Sequence, residues 1–504
     1  MRFRFDRLRV VFAHVGTVLF VFGLVLLVPF TMSLFIAGGK GQDVRAGTFA
    51  IPIVISLVLG AACRWQMHSW PGERRVGTPE AMLICVFGWL AVSAVGAIPF
   101  SHHLGISYLD AYFEAMSGFT TTGITMLSGL DGMPRSLLFW RSMTQWVGGL
   151  GILTFFMALV FEGGLSHRLY GAESAKMEAQ RGAPGIWRML QILWLIYVLW
   201  TAAITAALYA CGMSLYDAVS HALTCVSTAG YSTHDASIAY YERAGYAHHA
   251  AIEYVLILGM WAGATNFLVH YRLLRGGIKA LWDSDEMRLW WCVLGGALLL
   301  VLGSRLWSAA AAASAGTEPL SGVFRHSLFQ AISIGTTTGY STRDIATDYF
   351  PPLAKHVFLA LMVIGGCGGS TAAALKIPRF VILGKLMVRQ VKKAVKPESE
   401  VDLLLVDGRK VSAEEIERTA GLLVAWLVLL LAGSVVTAAL SPHGALESAS
   451  GMFSALGNIG PCYIPVPDMM RLSPAIKVFY IFAMLAGRLE IVPVLILFNP
   501  RTWR

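Results

Sequence analysis

The sequence has few charged residues for its length. Only 14% of its 504 residues are Asp, Glu, Lys or Arg, whereas 56% are hydrophobic. An average soluble domain carries roughly a quarter charged residues, so a chain of this size could not cover a water-exposed surface with polar groups. This scarcity of charge excludes a secreted protein, a cytosolic enzyme and a disordered scaffold.

The chain also lacks the short motifs of common catalytic and metal sites. Its seven cysteines form no CxxC pair, and we interpret them as small buried hydrophobic side chains. No histidine is followed by Glu, so HExxH is absent, and neither Gly39-Lys40 nor Gly384-Lys385 is followed by Ser or Thr, so there is no P-loop. We therefore predict that the chain is not an enzyme and holds no covalently bound cofactor.

Long apolar runs are abundant instead. Runs of nearly 20 residues match the ~30 Å hydrocarbon core of a bilayer, which predicts an all-α polytopic membrane protein. The first run is too long for a cleaved signal peptide. Ten spans fit the pattern, at about 12–36, 47–66, 79–99, 136–162, 186–212, 250–275, 287–313, 353–387, 416–440 and 473–498.

Basic residues lie mainly in the loops after even-numbered spans and at both ends of the chain. The positive-inside rule then places both termini and these loops in the cytoplasm. We interpret the basic run near Lys392 as a topology signal and predict no nucleic-acid partner. The loop residues are Arg64, Arg74, Arg75, Arg168, Lys176, Arg181, Arg188, Arg272, Arg275, Lys279, Arg288, Lys385, Arg389, Lys392, Lys393 and Lys396.

A half-hydrophobic segment follows each of the third, fifth, seventh and ninth spans. Each is too short to cross a bilayer and too apolar for an ordinary loop, as expected of a re-entrant segment lining a polar path. The four segments share a pattern that ends near Gly123, Gly230, Gly339 and Gly460. Because repeats indicate architecture, we predict four pseudo-repeated span–pore-helix–span units around one pore, plus two N-terminal transmembrane helices.

The Thr-rich turns of these units predict a cation filter. Backbone carbonyls arranged in rings replace the hydration shell of potassium in channels, and the C-terminal ends of short helices favour cations. Glycine permits the φ > 0 that such a turn needs. One Gly per turn predicts a shorter, less stringent filter than that of a potassium channel. The predicted ion-binding carbonyls are those of Thr121, Thr122, Thr228, Ala229, Thr337, Thr338, Asn458 and Ile459, and the filter glycines are Gly123, Gly230, Gly339 and Gly460.

The segments FTTTGIT, STAGYSTHDASI, GTTTGYST and NIGP, together with RSMTQWVGGLG at 141–151, resemble the Trk/Ktr/HKT superfamily of cation transporters. The resemblance covers essentially the whole chain and is strongest to the TrkH branch, which also has two additional N-terminal spans. It implies potassium uptake, with K⁺ as the transported ion, in the bacterial cytoplasmic (inner) membrane. It further implies a homodimer in lipid, with one pore per protomer, and a TrkA-like cytosolic nucleotide-binding regulatory subunit.

A glycine-rich stretch interrupts the eighth span. Such a density of Gly breaks helices, and broken helices in membranes border transport paths, although close helix packing is an alternative. The resemblance implies an intramembrane gating loop at this place. We assign to the gate Gly365, Gly366, Gly368, Gly369, Ser370, Thr371, Lys376 and, from the tenth span, Arg488.

Arg488 is a charge inside a predicted span, and such charges normally face a polar cavity. The resemblance implies that it lies beside the gating loop, where it would repel a cation. The alternative is a structural ion pair with a carboxylate. Glu490 is a poor candidate because i,i+2 positions do not face each other on a helix.

These features divide the chain into five parts. We predict two N-terminal transmembrane helices at 1–75, pore repeat 1 at 76–180 and pore repeat 2 at 181–285. Pore repeat 3, with the gating loop and a cytoplasmic hairpin, follows at 286–410, and pore repeat 4 at 411–504. The hairpin turns at Asp407-Gly408 and either docks the regulatory partner or packs on its own protomer.

Several alternatives stay open. A sodium-permeable or ion-coupled (H⁺ or Na⁺) potassium symporter fits the same pattern, and a sensor that no longer conducts is a third possibility. In plant relatives a Ser in place of the first filter Gly marks sodium preference, so the four glycines here favour potassium. The outer acidic residues Asp110, Glu114, Asp217 and Asp235 either concentrate cations or, for Asp110 and Asp217, cap the short helices.

Overall fold

The computed structural model describes residues 2–37, 43–45, 47–68, 77–151, 186–311, 318–395 and 403–503. The second half of the predicted span 136–162 lies outside these residues. So do six of the basic loop residues, Arg74, Arg75, Arg168, Lys176, Arg181 and Lys396, and the terminal Arg504.

The N-terminal helices are α1 (Arg2–Val25), α2 (Leu27–Ala37) and α3 (Ala50–His68). Helices α1 and α3 pack closely because each has a glycine at the contact. A methyl group on Gly16 would collide with Cys63, and one on Gly60 would lie 2.7 Å from the Phe20 nitrogen. Small residues let apolar helices approach in this way within a membrane.

Each predicted unit contains a long helix, a short helix and a return segment. The first has α4 (Thr78–Leu104), α5 (Tyr108–Phe119) and α6 (Arg135–Trp146). The second has α7 (Ile186–Ala210), α8 (Leu215–Val226), α9 (Ala239–Arg243), α10 (His249–Ala264) and α11 (Phe267–Leu274). The third has α12 (Asp285–Ala311), α13 (Leu320–Gly335), α14 (Pro352–Ile364) and α15 (Ile377–Lys393). The fourth has α16 (Ala413–Leu440), α17 (Ala445–Gly457), α18 (Val466–Arg471), α19 (Pro474–Arg488) and α20 (Val492–Leu495).

Among the described residues, five helical stretches are long and apolar enough to cross a membrane. The pair His249–Ala264 and Phe267–Leu274, bent by 105°, counts as a sixth if taken as one span. The protein is therefore a multi-pass helical membrane protein. The five stretches are Leu8–Phe35, Pro79–Leu104, Leu190–Ala210, Asp285–Ala309 and Ala413–Leu440.

Two predicted spans, 250–275 and 473–498, are wrong as continuous helices, whereas the predicted break in span 353–387 is confirmed. Span 250–275 bends because the Asn266 side chain accepts a hydrogen bond from Leu268 N and starts a new helix. In span 353–387 the first helix ends at Gly365, whose φ is +68°. Span 473–498 breaks after Arg488, where Glu490 and Ile491 have φ of 61° and 65°. The long helix of the tenth span thus ends at Arg488 instead of carrying it in its interior.

The short helices α5 and α8 begin with the same cap. Ser107 Oγ accepts a hydrogen bond from Asp110 N at 3.1 Å, and Ser214 Oγ accepts one from Asp217 N at 3.0 Å. The serines are therefore the N-caps. The alternative that Asp110 and Asp217 are the caps is wrong. The cap lies three residues earlier in each helix, and both carboxylates are in the first turn.

The predicted hairpin is present and packs on its own protomer. Strands β1 (Leu405–Val406) and β2 (Arg409–Lys410) are antiparallel, and the turn residues Asp407 and Gly408 have φ of 50° and 77°. Asp407 N donates to the Asp285 carboxylate at 3.0 Å, at the start of α12. Val406 and Val411 are buried in the core formed by the second and third units.

Candidate functional site

Four short segments with the same backbone conformation follow the short helices α5, α8, α13 and α17. The predicted positive φ of the four glycines is confirmed: 85° at Gly123, 77° at Gly230, 87° at Gly339 and 106° at Gly460. Two residues earlier, each segment has a second positive φ that the sequence did not indicate. These values are 54° at Thr121, 51° at Thr228, 57° at Thr337 and 54° at Asn458.

The backbone N–H groups of these segments point back to their short helices. The residue before each glycine donates to a carbonyl in the last turn of the preceding helix, at 2.8–3.0 Å. The pairs are Thr122 N to Ser117 O, Ala229 N to Thr224 O, Thr338 N to Ser333 O and Ile459 N to Ser454 O. These backbone N–H groups are therefore already bonded to the short helices. The C-terminal, negative ends of the helix dipoles point towards the segments.

The carbonyls of the same residues lie against the glycines of the neighbouring segments. A methyl group on Gly230 would collide with the Thr338 carbonyl oxygen, and one on Gly460 would lie 3.0 Å from the Thr122 oxygen. The four contacts follow chain order and form a closed cycle: Gly123 with Ala229 O, Gly230 with Thr338 O, Gly339 with Ile459 O and Gly460 with Thr122 O. The structure thus brings all four predicted segments together, and a Cβ at any of these glycines would disturb a neighbouring carbonyl.

A cavity of about 360 Å³ lies on the side of this ring that the charge pattern predicts to be the outer one, and it is lined by all four glycines. Asp235 lines it, as the sequence predicts, and its carboxylate accepts a hydrogen bond from Gly129 N at 2.9 Å. His234 also lines it and bonds Asp131 at 2.5 Å. Burial raises the pKa of Asp131, but the hydrogen bond and charge of His234 outweigh this effect and hold the pKa below its ordinary value.

Two of the predicted outer acids have other roles. Glu114 is fully buried and pairs with Arg141 at 2.6 Å, so the interpretation that it concentrates cations is wrong. A buried carboxylate paired with a guanidinium has no net field to offer an ion in solution. Asp110 pairs with the buried Lys477 at 2.5 Å, which ties the start of α5 to α19.

On the inner side, the glycine-rich loop of residues 365–376 contacts the first residue of two segments. Thr228 Oγ1 donates to Thr371 Oγ1 at 3.2 Å, and Ala373 N donates to Thr337 Oγ1 at 3.1 Å. Thr371 Oγ1 also lies 2.9 Å from both Val226 O and Gly263 O. The loop is therefore held directly against the inner face of the ring.

The other predicted gate residues shape the loop. Gly365 and Gly369 have φ of 68° and 66°, and Lys376 has φ of 66° where α15 begins. Ser370 Oγ donates within the loop to Cys367 O at 2.6 Å. A methyl group on Gly366 would lie 2.6 Å from the Ala372 side chain, and Gly368 N donates to Glu286 at 2.7 Å.

Arg488 joins the loop to the first unit. Its guanidinium donates to Thr121 Oγ1 at 3.0 Å, to Thr371 O at 2.8 Å, and to the carbonyls of Gly148 and Gly149 at 2.9 and 2.6 Å. Glu490 bonds Arg379 at 2.5 Å, in agreement with the argument that it does not face Arg488. Arg488, Ser370 and Lys376 line a small cavity of about 70 Å³ below the ring.

Sequence reasoning missed two residues beside the ring, Gly148 and Gly149, and one contact of the predicted filter residue Asn458. Gly148 and Gly149 lie in a π-helical turn (Val147–Gly151), and a methyl group on Gly148 would collide with Phe119 O. Asn458 Nδ2 donates to Thr122 Oγ1 at 2.8 Å and so joins the fourth segment to the first. The Gly-Gly pair in RSMTQWVGGLG was the available signal for the turn, but nothing in the sequence indicated the Asn458 contact.

A polar ring between an outer cavity and an inner loop, inside a bundle of apolar helices, defines a membrane transport protein. The TrkH family model, described as cation transport protein, matches residues 46–503. The chain therefore belongs to the TrkH family, which confirms the resemblance and the prediction that it is not an enzyme.

Individual relatives agree over nearly the full length. The chain is 32% identical to the Trk system potassium uptake protein TrkH of Escherichia coli K12, covering 97% of this chain and 98% of that protein. It is 29% identical to the protein of the same name from Halomonas elongata, covering 99% of both. The crystal structure of the potassium transporter TrkH from Vibrio parahaemolyticus matches with a TM-score of 0.84 at 26% identity, covering 99% of this chain and 100% of that one.

Proposed function

We propose that the protein takes up potassium across the bacterial cytoplasmic membrane through a carbonyl-lined selectivity filter formed by the four segments. The closed cycle of glycine–carbonyl contacts is the observation that carries this proposal. The relatives from E. coli and H. elongata are named potassium uptake proteins, and this supports potassium as the ion.

The filter works by substituting protein oxygens for water. A potassium ion loses hydration on entry, and carbonyls of Thr121, Thr122, Thr228, Ala229, Thr337, Thr338, Asn458 and Ile459 replace it. The backbone N–H groups of the segments donate to carbonyls of the short helices. The backbone groups that remain available to coordinate an ion are therefore the carbonyl oxygens. The negative ends of the four short helices add a favourable field.

The loop and Arg488 form the gate in this proposal. Thr371 and Ala373 cover the hydroxyls of the second and third segments. Arg488 adds a positive charge below Thr121. An ion leaving the filter inward meets both obstacles, so opening requires the loop to withdraw from Thr228 and Thr337 and the arginine to leave Thr121.

Regulation and assembly complete the proposal. A TrkA-like cytosolic nucleotide-binding subunit controls the loop from the inner side, and two copies of the chain form a homodimer with one pore each. Both termini lie in the cytoplasm, as the distribution of Lys and Arg favours. The gate is near that side because α15, which leaves the loop, ends in Lys392 and Lys393.

The deciding experiment is ion flux into liposomes that contain the purified protein alone. Potassium and rubidium should enter faster than sodium, and the rate should follow the potassium gradient. An equal sodium rate would favour the sodium-permeable alternative. Potassium uptake that requires an imposed proton or sodium gradient would establish the ion-coupled symporter instead.

A further inference from the structure

The second segment lacks a side-chain bond that the first and third possess. In the first, Thr122 Oγ1 lies 2.7 Å from Thr120 Oγ1, and in the third, Thr338 Oγ1 lies 2.8 Å from Thr336 Oγ1. These bonds hold the residue before the glycine to the end of its own helix. Ala229 takes this position in the second segment and has no hydroxyl group.

Ala229 is also the least restricted residue at this position. Thr122, Thr338 and Ile459 are β-branched, which limits their side-chain and backbone conformations, whereas Ala has no such branch. The Ala229 carbonyl oxygen nevertheless belongs to the ring, where it faces Gly123. A contact from another helix would therefore add a restraint that the Ala229 side chain does not supply.

Gln145 on α6 supplies this restraint. Its Nε2 donates to the Ala229 carbonyl at 2.7 Å, and its Oε1 accepts a hydrogen bond from Tyr231 N at 2.9 Å. The amide thus holds the backbone on both sides of Gly230. One donor and one acceptor fix the orientation of the amide, since a flipped amide would satisfy neither group. The Gln145 side chain is fully buried.

The helix that carries Gln145 also contacts the residues that follow Gly230. Arg141, one turn earlier on the same face of α6, donates to Ser232 O at 2.9 Å, and its guanidinium stacks 3.5 Å from the Tyr231 ring centroid. The pair with Glu114 joins this arginine to α5. Arg141 therefore holds α6, and with it Gln145, beside Ala229 and Tyr231.

We infer that Gln145 is a positioning residue that sets the Ala229 carbonyl and thereby the cation specificity of the pore. The bond from Nε2 uses one lone pair of the carbonyl and leaves the other for an ion. A shift of a few tenths of an ångström in the position of this oxygen changes the ion-to-oxygen distance on one side of the ring. The inference rests on the proposed potassium filter and assigns a specificity determinant outside its four segments.

The test replaces Gln145 by Met, which keeps the length of the side chain and removes both hydrogen bonds. Gln330→Met is the matched control: Gln330 is also fully buried, beside the third segment, but its amide makes only a 3.4 Å contact with Tyr340 O. Purified proteins in liposomes are compared for the ratio of potassium to sodium flux and for thermal unfolding. Loss of a hydrogen bond of ordinary strength should lower the ratio about three- to tenfold in Gln145→Met, and less than twofold in the control.

A second variant separates positioning from packing. Gln145→Leu removes the same two hydrogen bonds as Gln145→Met but has a different shape, so the flux ratio should fall to the same extent in both variants even where their unfolding differs. An unchanged ratio in a folded Gln145 variant overturns the inference, and so does failure of both Gln145 variants to fold while Gln330→Met folds. If the wild-type protein itself shows no potassium preference, the proposed function fails, which is a distinct result.

Discussion

Arg488 and Thr121 are 367 residues apart in the chain and are joined by a hydrogen bond of 3.0 Å. The bond places the end of α19 against the first residue of the first segment. Because the same guanidinium reaches the Thr371 carbonyl, one side chain connects the ring, the loop and the fourth unit. The charge is therefore fixed at the inner mouth of the proposed filter, which makes it the first target for mutation.

Arg488→Ala should raise the basal potassium flux of the protein alone. A fixed unit charge about 4 Å from an ion costs about 4 kcal/mol at an effective dielectric constant of about 20, so an increase of about tenfold or more is expected, with selectivity retained. Flux into liposomes measures it, with Arg471→Ala, an exposed arginine on α18, as the control. Reduced thermal stability with unchanged flux would instead identify Arg488 as a structural residue.

Thr371→Val should loosen the loop while preserving its volume. The hydroxyl lies 2.9 Å from Val226 O and Gly263 O, and each lost hydrogen bond weakens docking by about 1 kcal/mol. We expect basal flux to rise about three- to tenfold. In the double variant with Arg488→Ala, the fold increase in flux should be smaller than the product of the two single-variant increases. The reason is that both substitutions weaken the same proposed gate. Thr347→Val, whose hydroxyl bonds Asp344 O in an exposed loop, should leave the flux unchanged.

Gly339→Ser should reduce the preference for potassium over sodium. A Cβ at this position collides with the Ile459 carbonyl and lies 2.7 Å from Pro461 Cδ, so the ring must distort; a fall of about tenfold in the flux ratio corresponds to about 1.4 kcal/mol. Gly105→Ser is the matched control, because Gly105 has φ of +68° with open space around it. If both variants change the ratio equally, backbone strain and not the carbonyl contact is responsible.

Glu114→Gln should destabilise the protein by about 3–5 kcal/mol, since it leaves the Arg141 charge buried without its partner. Thermal unfolding in detergent should show a clearly lower midpoint. Asp283→Asn removes one partner of the pair with Arg272, which is about 40% exposed, and should cost no more than about 1 kcal/mol. Equal effects of the two substitutions would contradict the assignment of the Glu114–Arg141 pair as a buried anchor.

The sequence predicted the parts of the site that depend on residue type. Glycine is the residue that adopts positive φ without strain, so Gly123 and its three counterparts could be placed from the repeat alone. The helix-breaking effect of the glycine-rich stretch located the loop correctly. The hairpin at Asp407-Gly408 followed from its turn residues.

The parts that the sequence did not predict depend on tertiary contacts. Thr121 rarely adopts positive φ in isolation, and its value of 54°, like those of 51° at Thr228 and 57° at Thr337, belongs to the conformation that the segments share in the assembled ring. The pairing of Glu114 with Arg141 needs the relative position of two helices, which a single sequence does not contain. Hydropathy also could not show the bend at Asn266, because an average over a window carries no information about one capping side chain.

The cyclic order of the ring has a consequence for biosynthesis. The fourth segment meets the first through Asn458 and Thr122, which are 336 residues apart in the chain. Because synthesis proceeds from the N-terminus, three segments are already in the membrane before the last one exists. During this interval no closed ring of carbonyls can form, so the partly made chain cannot yet discriminate among ions. Arg488 follows Asn458 by only 30 residues, so the charge of the proposed gate emerges soon after the segment that completes the ring.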